Sequence, residues 1–314
     1  MSNLIFSLNA TLPLFLMMML GYFLRKIGYV DGHGAAQMNK LVFRVFLPSL
    51  LFLDLAKEDF GSIWDGEMVL FCFVATVLSI LIAFLLSMVD RNKKERGEII
   101  QGAFRSGAAT LGIAFMLNIY DSATAVALMI IGSVPLYNVM SVIILSVTAQ
   151  EDKTTKGQLI KKTAYNLVTN PIILSIALGM AWSLLKLPLP PIMNKTVTYL
   201  GNVASPLALI VLGSEFEFKT AKEKSKEIAV ASFAKLILFC AIFLPIAVML
   251  GFREEKLVAI LIMLGSGTTT SSFIMAKNMG HEGTISSSVV MVTTLLMSFT
   301  MTFWLFLLRT FGMI

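Results

Sequence analysis

Charged residues are scarce in this sequence, at 14% of its 314 residues, whereas about 25% is usual in a soluble domain. Hydrophobic residues make up 57%, and the mean hydropathy is +0.82. This composition excludes an ordinary soluble domain, and it predicts a chain that lies in a lipid bilayer.

Histidine and cysteine are also rare, with two of each. Cys72 and Cys240 fall inside apolar runs, which predicts buried thiols rather than a disulfide. His33 and His281 fall in loops, and no zinc-protease, nucleophile-elbow or phosphate-loop motif occurs. The sequence therefore predicts no enzyme, no metal site and no organic cofactor.

Apolar runs long enough to cross a bilayer of about 30 Å recur along the whole chain. We expect an all-α membrane protein with ten transmembrane spans. They are Ile5–Leu24, Met38–Leu55, Met68–Val89, Ile99–Leu117, Ala123–Thr148, Leu167–Leu185, Val197–Leu212, Ile228–Leu250, Leu257–Met275 and Ile285–Leu308.

The basic residues behind the net charge of +6 are concentrated in short loops between alternate spans, at Arg91–Arg96, Lys153–Lys162 and Lys219–Lys226. The positive-inside rule makes these loops cytoplasmic and places both termini outside the cell membrane. The positive charge is therefore interpreted as a topology signal, and no nucleic-acid partner is expected.

Two spans are interrupted by small and hydroxylated residues at a depth where membrane helices are normally most apolar. Residues 106–118 read SGAATLGIAFMLN and residues 266–278 read SGTTTSSFIMAKN, at a constant offset of 160 (267 − 107 and 278 − 118). Gly costs about 1 kcal/mol in a helix interior, and Ser and Thr offer the backbone competing hydrogen bonds. Helices broken at matching places in two halves point to the substrate site of a transporter.

A second set of matches extends the repeat, at an offset of 158. It pairs Thr11–Pro13 with Thr169–Pro171, Gly21 with Gly179, and Pro48 with Pro206. Each half then holds five spans, and an odd number makes the second half enter from the opposite side. The sequence predicts two inverted repeats, 1–157 and 158–314, with broken, crossing helices 4 and 9.

Broken helices leave backbone N–H groups that suit an anion and carbonyls that suit a cation. The candidate substrate-binding residues are Arg105, Ser106, Gly107, Thr110, Asn138, Ser266, Gly267, Thr268, Thr269 and Thr270. The candidate crossover or kink residues are Gly112, Pro48, Pro206, Ser271 and Ser272. Close packing of small residues between membrane helices is the alternative explanation for the hydroxyl groups.

Two alternative roles are possible for some of these residues. Arg105 either attracts an anion from inside or extends to the membrane surface. Asn138 either supports the crossing or caps a kink at Pro135. Lys235, about two turns into its span, is a further pathway candidate.

The chain resembles the auxin efflux carrier family, which includes plant auxin exporters and bacterial malate or malonate permease-like proteins. The matching residues are Asn170-Pro171, Ser205–Leu209 with Gly213, Pro135–Asn138, and Arg105 before the first break. The resemblance covers essentially the whole chain. One difference is that family members usually carry a proline at the crossing, and neither stretch has one here.

The resemblance implies a scaffold of spans 1, 2, 6 and 7 that forms a homodimer. It also implies a transport domain of spans 3–5 and 8–10 that moves like an elevator. It places the substrate at Arg105–Gly112 and Gly265–Ser272. We expect a secondary transporter of small organic anions, chiefly carboxylates, that uses no cofactor beyond a coupling Na⁺ or H⁺. The alternative is a sodium-coupled carrier or ion channel of the same fold, with a cation at the crossing.

Overall fold

The computed structural model describes residues 2–57, 65–88, 90, 92–120, 124–149 and 156–314, and every regular element in those residues is a helix. The helices are α1 (Ser2–Lys26), α2 (Gly32–Leu41), α3 (Leu47–Ala56), α4 (Gly66–Ser87), α5 (Lys93–Phe104), α6 (Ala108–Tyr120), α7 (Thr124–Thr148), α8 (Lys156–Thr169), α9 (Pro171–Leu184), α10 (Pro191–Ser214), α11 (Phe218–Glu223), α12 (Ser225–Phe233), α13 (Phe239–Met249), α14 (Glu254–Gly265), α15 (Ser271–Asn278) and α16 (Thr284–Thr310). Two π-helical segments, Val42–Phe46 and Ala234–Leu238, join α2 to α3 and α12 to α13.

By length and composition, five helices in the described residues are candidates to cross a membrane. They are α4, α7, α10, α16 and the run Ser225–Met249 that joins α12 to α13. Ile160–Thr169 and Pro171–Leu184 form a sixth candidate, bent by 55°. Large apolar side chains such as Leu70, Leu81 and Leu85 on α4 are exposed, as a lipid-facing surface requires.

The bend between α8 and α9 comes from Asn170 and Pro171. The side chain of Asn170 accepts a hydrogen bond from the N–H of Ile172 at 2.9 Å, which caps the start of α9. Pro171 has no N–H and suits the first turn of a helix. The sequence placed a single span at Leu167–Leu185. The structure instead has α8 running from Lys156 to Thr169 and α9 from Pro171 to Leu184.

The π-helical segment Val42–Phe46 lies directly before Pro48. A proline ring clashes with the carbonyl four residues earlier, which here belongs to Arg44, and it leaves that carbonyl without a donor. A local π turn is one way in which a helix accommodates such a residue. In place of a sharp kink at Pro48, the structure therefore has a π-helical turn just before it.

Glycines allow two pairs of helices to approach closely. A Cβ atom on Gly21 of α1 would lie 2.1 Å from the Ile210 carbonyl oxygen of α10, and one on Gly179 of α9 would lie 2.8 Å from the Phe52 carbonyl oxygen of α3. Any larger residue would force these backbones apart. Close contacts of this kind are how membrane helices pack.

Helix α14 lies at the centre of the molecule, because every residue from Leu257 to Leu264 is 3% exposed or less. A helix that is apolar on all sides is a buried helix. It packs against α6, α7, α13 and α16. The break that follows α14 is thereby positioned deep inside the bundle.

Candidate functional site

The two interrupted helices have breaks in the structure, and the breaks contact each other. The first lies between α5 and α6, at Arg105, Ser106 and Gly107, and the second lies between α14 and α15, at Ser266–Thr270. The N–H of Gly107 donates to the Gly267 carbonyl at 2.9 Å. We call the two breaks and this contact the crossing.

Serine hydroxyls connect the same two segments. The Oγ atoms of Ser106 and Ser266 are 2.5 Å apart and hydrogen-bonded. Ser106 Oγ also accepts from the N–H of Ala108 at 3.2 Å, and so satisfies one of the free donors at the start of α6. Both serines are buried, at 7% and 0% exposure. The crossing is therefore a fixed polar contact inside an otherwise apolar bundle.

Arg105 is the buried cation of the crossing, with 3% of its surface exposed. Its Nη2 donates to Asn138 Oδ1 at 2.9 Å and to Ser271 Oγ at 2.8 Å. Its Nη1 contacts the sulfur of Met275, which is a weak acceptor, and its Nε has no hydrogen-bond partner among the described residues. When the side-chain amide of Gln101 is flipped so that its oxygen and its nitrogen both have partners, the oxygen accepts from Nη1 at 3.2 Å.

No carboxylate forms an ion pair with Arg105 in the part of the chain that the structure describes. A buried charge without an opposite charge is costly, and in a membrane protein it marks a functional site. The neutral acceptors around the guanidinium orient it without forming an ion pair. An incoming carboxylate is the group that complements it best.

Two small cavities flank the crossing. One of about 50 Å³ is lined by Arg105, Asn138, Ser271 and Asp54, among others. The other, of about 60 Å³, lies against α1, α10 and α16. The two share Gly107, Ser205, Thr269 and Thr270 as lining residues. Both cavities are smaller than a dicarboxylate ion, so such a ligand would have to widen the site as it binds.

The carbonyl ends of the two broken helices already have donors from within the protein. Thr268 Oγ1 donates to the Gly102 carbonyl at the end of α5, at 2.6 Å. Lys235 Nζ donates to the Met263 carbonyl at the end of α14, at 3.1 Å. These carbonyls are the groups that would coordinate a cation in a broken helix.

Ten of the expected residues meet at the crossing. They are Arg105, Ser106, Gly107, Asn138, Ser266, Gly267, Thr268, Thr269, Thr270 and Ser271. The side chain of Thr110 lies outside the described residues. Ser272 is buried in the first turn of α15, and its hydroxyl has no hydrogen-bond partner.

Three expected crossover or kink residues lie away from the breaks. Gly112 is inside α6, where a Cβ atom would lie 3.1 Å from Val126 Cγ1, so it serves close packing with α7. Pro48 is in the first turn of α3, and Pro206 is inside α10. Neither proline lines the two small cavities.

Some residues of the site were not expected from the sequence. Ser205 lines both cavities, and its position beside Pro206 was the available signal. Thr293 Oγ1 accepts from the N–H of Thr268 at 3.0 Å, although it lies inside an ordinary apolar span. Met275 and Asp54 were likewise not among the expected site residues.

Two larger cavities open on the face that carries the basic loops. One of about 680 Å³ is lined by Arg25, Lys40 and Lys277, together with Glu215. The other, of about 750 Å³, includes Arg44 and Lys162. Both reach Asn278 at the end of α15. Both cavities therefore open near the residues that join the broken helix α15 to the basic face.

A polar crossing buried among helices long enough to cross a bilayer is the architecture of a membrane transporter. The chain belongs to the membrane transport protein family, whose family model matches residues 6–305. This is the auxin efflux carrier family that the sequence resembles, so that prediction is confirmed. The chain is a multi-pass membrane protein.

Two relatives match along almost their whole length. A protein of Methanothermobacter thermautotrophicus named "Uncharacterized transporter" is 23% identical over 304 residues, which is 95% of this chain and 97% of the relative. A protein of Rhizobium meliloti named "Putative malonate transporter" is 23% identical over 305 residues, 95% of each chain. The family and both relatives are transporters and not enzymes.

Proposed function

We propose that the protein is a secondary transporter of small carboxylate anions and that Arg105 holds the substrate carboxylate. The observation that carries this proposal is the buried guanidinium with neutral partners only and an unpartnered Nε. A planar guanidinium binds a carboxylate through two parallel hydrogen bonds. Asn138, Ser271 and Thr269 would orient the anion around it.

A short dicarboxylate is the proposed substrate class, and malonate is its first candidate. The relative from Rhizobium meliloti is named for malonate. The hydroxyl-lined surface formed by Ser205, Thr269 and Thr270 between the two small cavities provides donors for a second carboxylate. A compact dianion would suit the small volume near Arg105 better than a large aromatic acid.

We propose that the chain consists of two inverted halves, 1–157 and 158–314, with five spans each. One contact between equivalent residues and one pair of related contacts support this. Ser106 and Ser266, 160 residues apart, bond to each other. The Gly21–Ile210 and Gly179–Phe52 contacts are related by a shift of 158 (179 − 21 and 210 − 52). A two-fold axis in the membrane plane would produce both relations.

The proposed mechanism is alternating access, in which spans 3–5 and 8–10 move against spans 1, 2, 6 and 7. The packing of α1 on α10 and of α3 on both α9 and α10 supports a scaffold of these helices, and α1 also packs on α16 of the proposed transport domain. At the open face, Lys277 of α15 pairs with Glu215 at the end of α10 at 2.6 Å, and Asn278 bonds to Asn39 of α2. An elevator-type movement would break these contacts and widen the site.

A cation at the crossing is the second candidate, as in a sodium-coupled carrier or a channel. The structure favours the anion, because the Gly102 and Met263 carbonyls already accept hydrogen bonds from Thr268 and Lys235. The buried charge at the crossing, that of Arg105, is positive.

We further propose that the protein resides in the cell membrane as a homodimer, with both termini outside. The basic loops support this orientation, and the dimer rests on the family resemblance. Cross-linking in membranes would test the dimer. Labelling of cysteines introduced at the termini, with reagents added to either side of the membrane, would test the orientation.

Uptake by reconstituted vesicles tests the function directly. Radiolabelled malonate should accumulate in vesicles that contain the protein, and unlabelled mono- and dicarboxylates should compete with it. Malonamide, which has nearly the same shape without charge, should not compete. Equal competition by malonamide, or no uptake of any carboxylate in a panel, would contradict the proposal.

A further inference from the structure

Lys235 is a second buried cation, on a different helix from Arg105. It lies in the π-helical segment Ala234–Leu238 and is 1% exposed. This segment packs against α5, α14 and α16, so it contacts the first halves of both broken helices. A π turn inside a membrane helix is uncommon and is frequently found at functional sites.

The single hydrogen-bond acceptor described for the Lys235 ammonium is the Met263 carbonyl, at 3.1 Å. Met263 is in the last turn of α14, where carbonyls lack partners within the helix and the helix dipole is negative. The ammonium therefore lies where a cation is stabilised by a broken helix.

The nearest equivalent in the other break is filled by a neutral group. The Gly102 carbonyl near the end of α5 accepts from Thr268 Oγ1 at 2.6 Å. The Gly102 and Met263 carbonyls thus have different donors, a neutral hydroxyl and a charged ammonium. A hydroxyl is enough to provide a hydrogen bond to such a carbonyl, as Thr268 does for Gly102. The positive charge of Lys235 therefore needs another explanation.

Acidic residues on the neighbouring helices do not pair with Lys235 in the described structure. Glu95 on α5 pairs with Lys224 at 2.5 Å. Glu98 on α5 accepts from the N–H groups of Gly283 and Ser286, both at 2.8 Å. Glu254 and Glu255 are at the opposite end of α14 from Met263, and Glu227 is in the first turn of α12. The carbonyl end of α14 is thus the negative partner of the ammonium.

We propose that Lys235 is a tethered cation that fills the position at the carbonyl end of α14 where a coupling sodium ion would otherwise bind. The carrier then needs no bound sodium ion to hold its broken helix together. This inference rests on the proposed transport function, because only a transporter has a coupling ion. The contact between Lys235 and Met263 does not depend on which anion is carried.

The decisive experiment is thermal unfolding of the purified protein without any carboxylate, in about 0.2 M NaCl or in choline chloride of equal ionic strength. The wild type should unfold at the same temperature in both salts. Lys235→Ala empties the position of the ammonium, and it should gain a sodium-specific rise of about 3 °C. Lys235→Arg retains the charge and should behave like the wild type. Lys226→Ala removes an exposed lysine of α12 as a matched control and should show no sodium response.

A sodium-specific rise in the wild type would overturn the proposal, because it would reveal a cation site that Lys235 does not fill. Absence of the rise in Lys235→Ala would overturn it too, because the vacated position would then not be a cation site. If that variant cannot be purified, malonate uptake by wild-type vesicles free of sodium decides the question. Undiminished uptake supports the proposal, and loss of uptake refutes it. The unfolding measurement contains no carboxylate, so its outcome is separate from that of the substrate proposal.

Discussion

Ser106 and Ser266 donate and accept a single hydrogen bond at the crossing although 160 residues separate them. They occupy the same place in the two matching stretches of the sequence. Removal of either hydroxyl breaks the same bond. A buried hydrogen bond contributes about 1 kcal/mol, and leaving its partner unsatisfied adds to the loss.

We therefore expect Ser106→Ala to lower the unfolding temperature more than Ser266→Ala, because Ser106 Oγ also accepts from the N–H of Ala108. The double variant should lose little more than Ser106→Ala alone, because Ser266→Ala then has no bond left to break. Thermal unfolding of the four proteins in one detergent gives the coupling. Additive losses would contradict a shared bond.

The close contact between α1 and α10 predicts a strong effect of a single methyl group. Gly21→Ala would place its Cβ atom 2.1 Å from the Ile210 carbonyl oxygen, and overpacking of this kind costs about 1–3 kcal/mol or more. Gly157→Ala is the matched control, since Gly157 is in α8 and has no atom within 4 Å of the added Cβ. The control should be neutral or slightly stabilising. Similar unfolding temperatures for both variants would show that the helices do not pack as described.

Asp65 predicts a pH dependence of stability. It caps α4 through the N–H of Met68 at 3.1 Å and pairs with Lys256 of α14. The hydrogen bond from Lys256, followed by that from Met68, lowers the pKa of Asp65 below its ordinary value of 3.8. A lowered carboxylate pKa contributes stability above pH 3.8, and this contribution is lost as the pH falls through the folded pKa.

Asp65→Asn keeps a good capping residue but removes the charge, so it should cost about 0.2–1 kcal/mol near pH 7. The difference in unfolding temperature from the wild type should shrink as the pH falls to about 3. Asp65→Ala, which also removes the cap, should cost about 1 kcal/mol more. A difference between wild type and Asp65→Asn that is constant with pH would exclude the ion pair as its cause.

The Lys277–Glu215 pair predicts a change in transport rate without a change in anion affinity. Glu215→Gln breaks a partly exposed pair worth about 0.2–1 kcal/mol, which shifts the balance between carrier states by up to about fivefold. Exchange of malonate across vesicles should change by a similar factor, while binding to the detergent-purified protein should change little. Glu217→Gln alters the same cavity without breaking this pair and should leave the exchange rate unchanged. An equal effect of both variants would assign the change to the charge of the cavity.

The positions of the two breaks were predicted from the sequence more accurately than the boundaries of the helices around them. Gly107 and Gly267 could be found because glycine and hydroxylated residues are unfavourable inside an apolar helix. The start of α9 has a local cause too, in Asn170 and Pro171, but the predicted span began at Leu167. The breaks depend on local backbone preferences, which a single sequence displays.

The remaining features depend on contacts between distant residues. The bond between Lys235 and the Met263 carbonyl, and the packing of Gly112 inside α6, have no local signature. Most of α8 was missed because its lysines and other polar residues interrupt the apolar run, so the predicted span began only at Leu167. Which neutral side chains surround Arg105 is likewise a property of the folded bundle.

The most direct test of the account is the effect of malonate on the unfolding temperature of the purified protein. A concentration about tenfold above the dissociation constant should raise it by about 3 °C in the wild type. Arg44→Gln, a partly exposed cation that lines the large cavity of about 750 Å³, should retain this rise. Arg105→Gln should abolish it, and Arg105→Lys should restore part of it because the positive charge remains. An undiminished rise in Arg105→Gln would contradict the claim that this buried guanidinium holds the substrate.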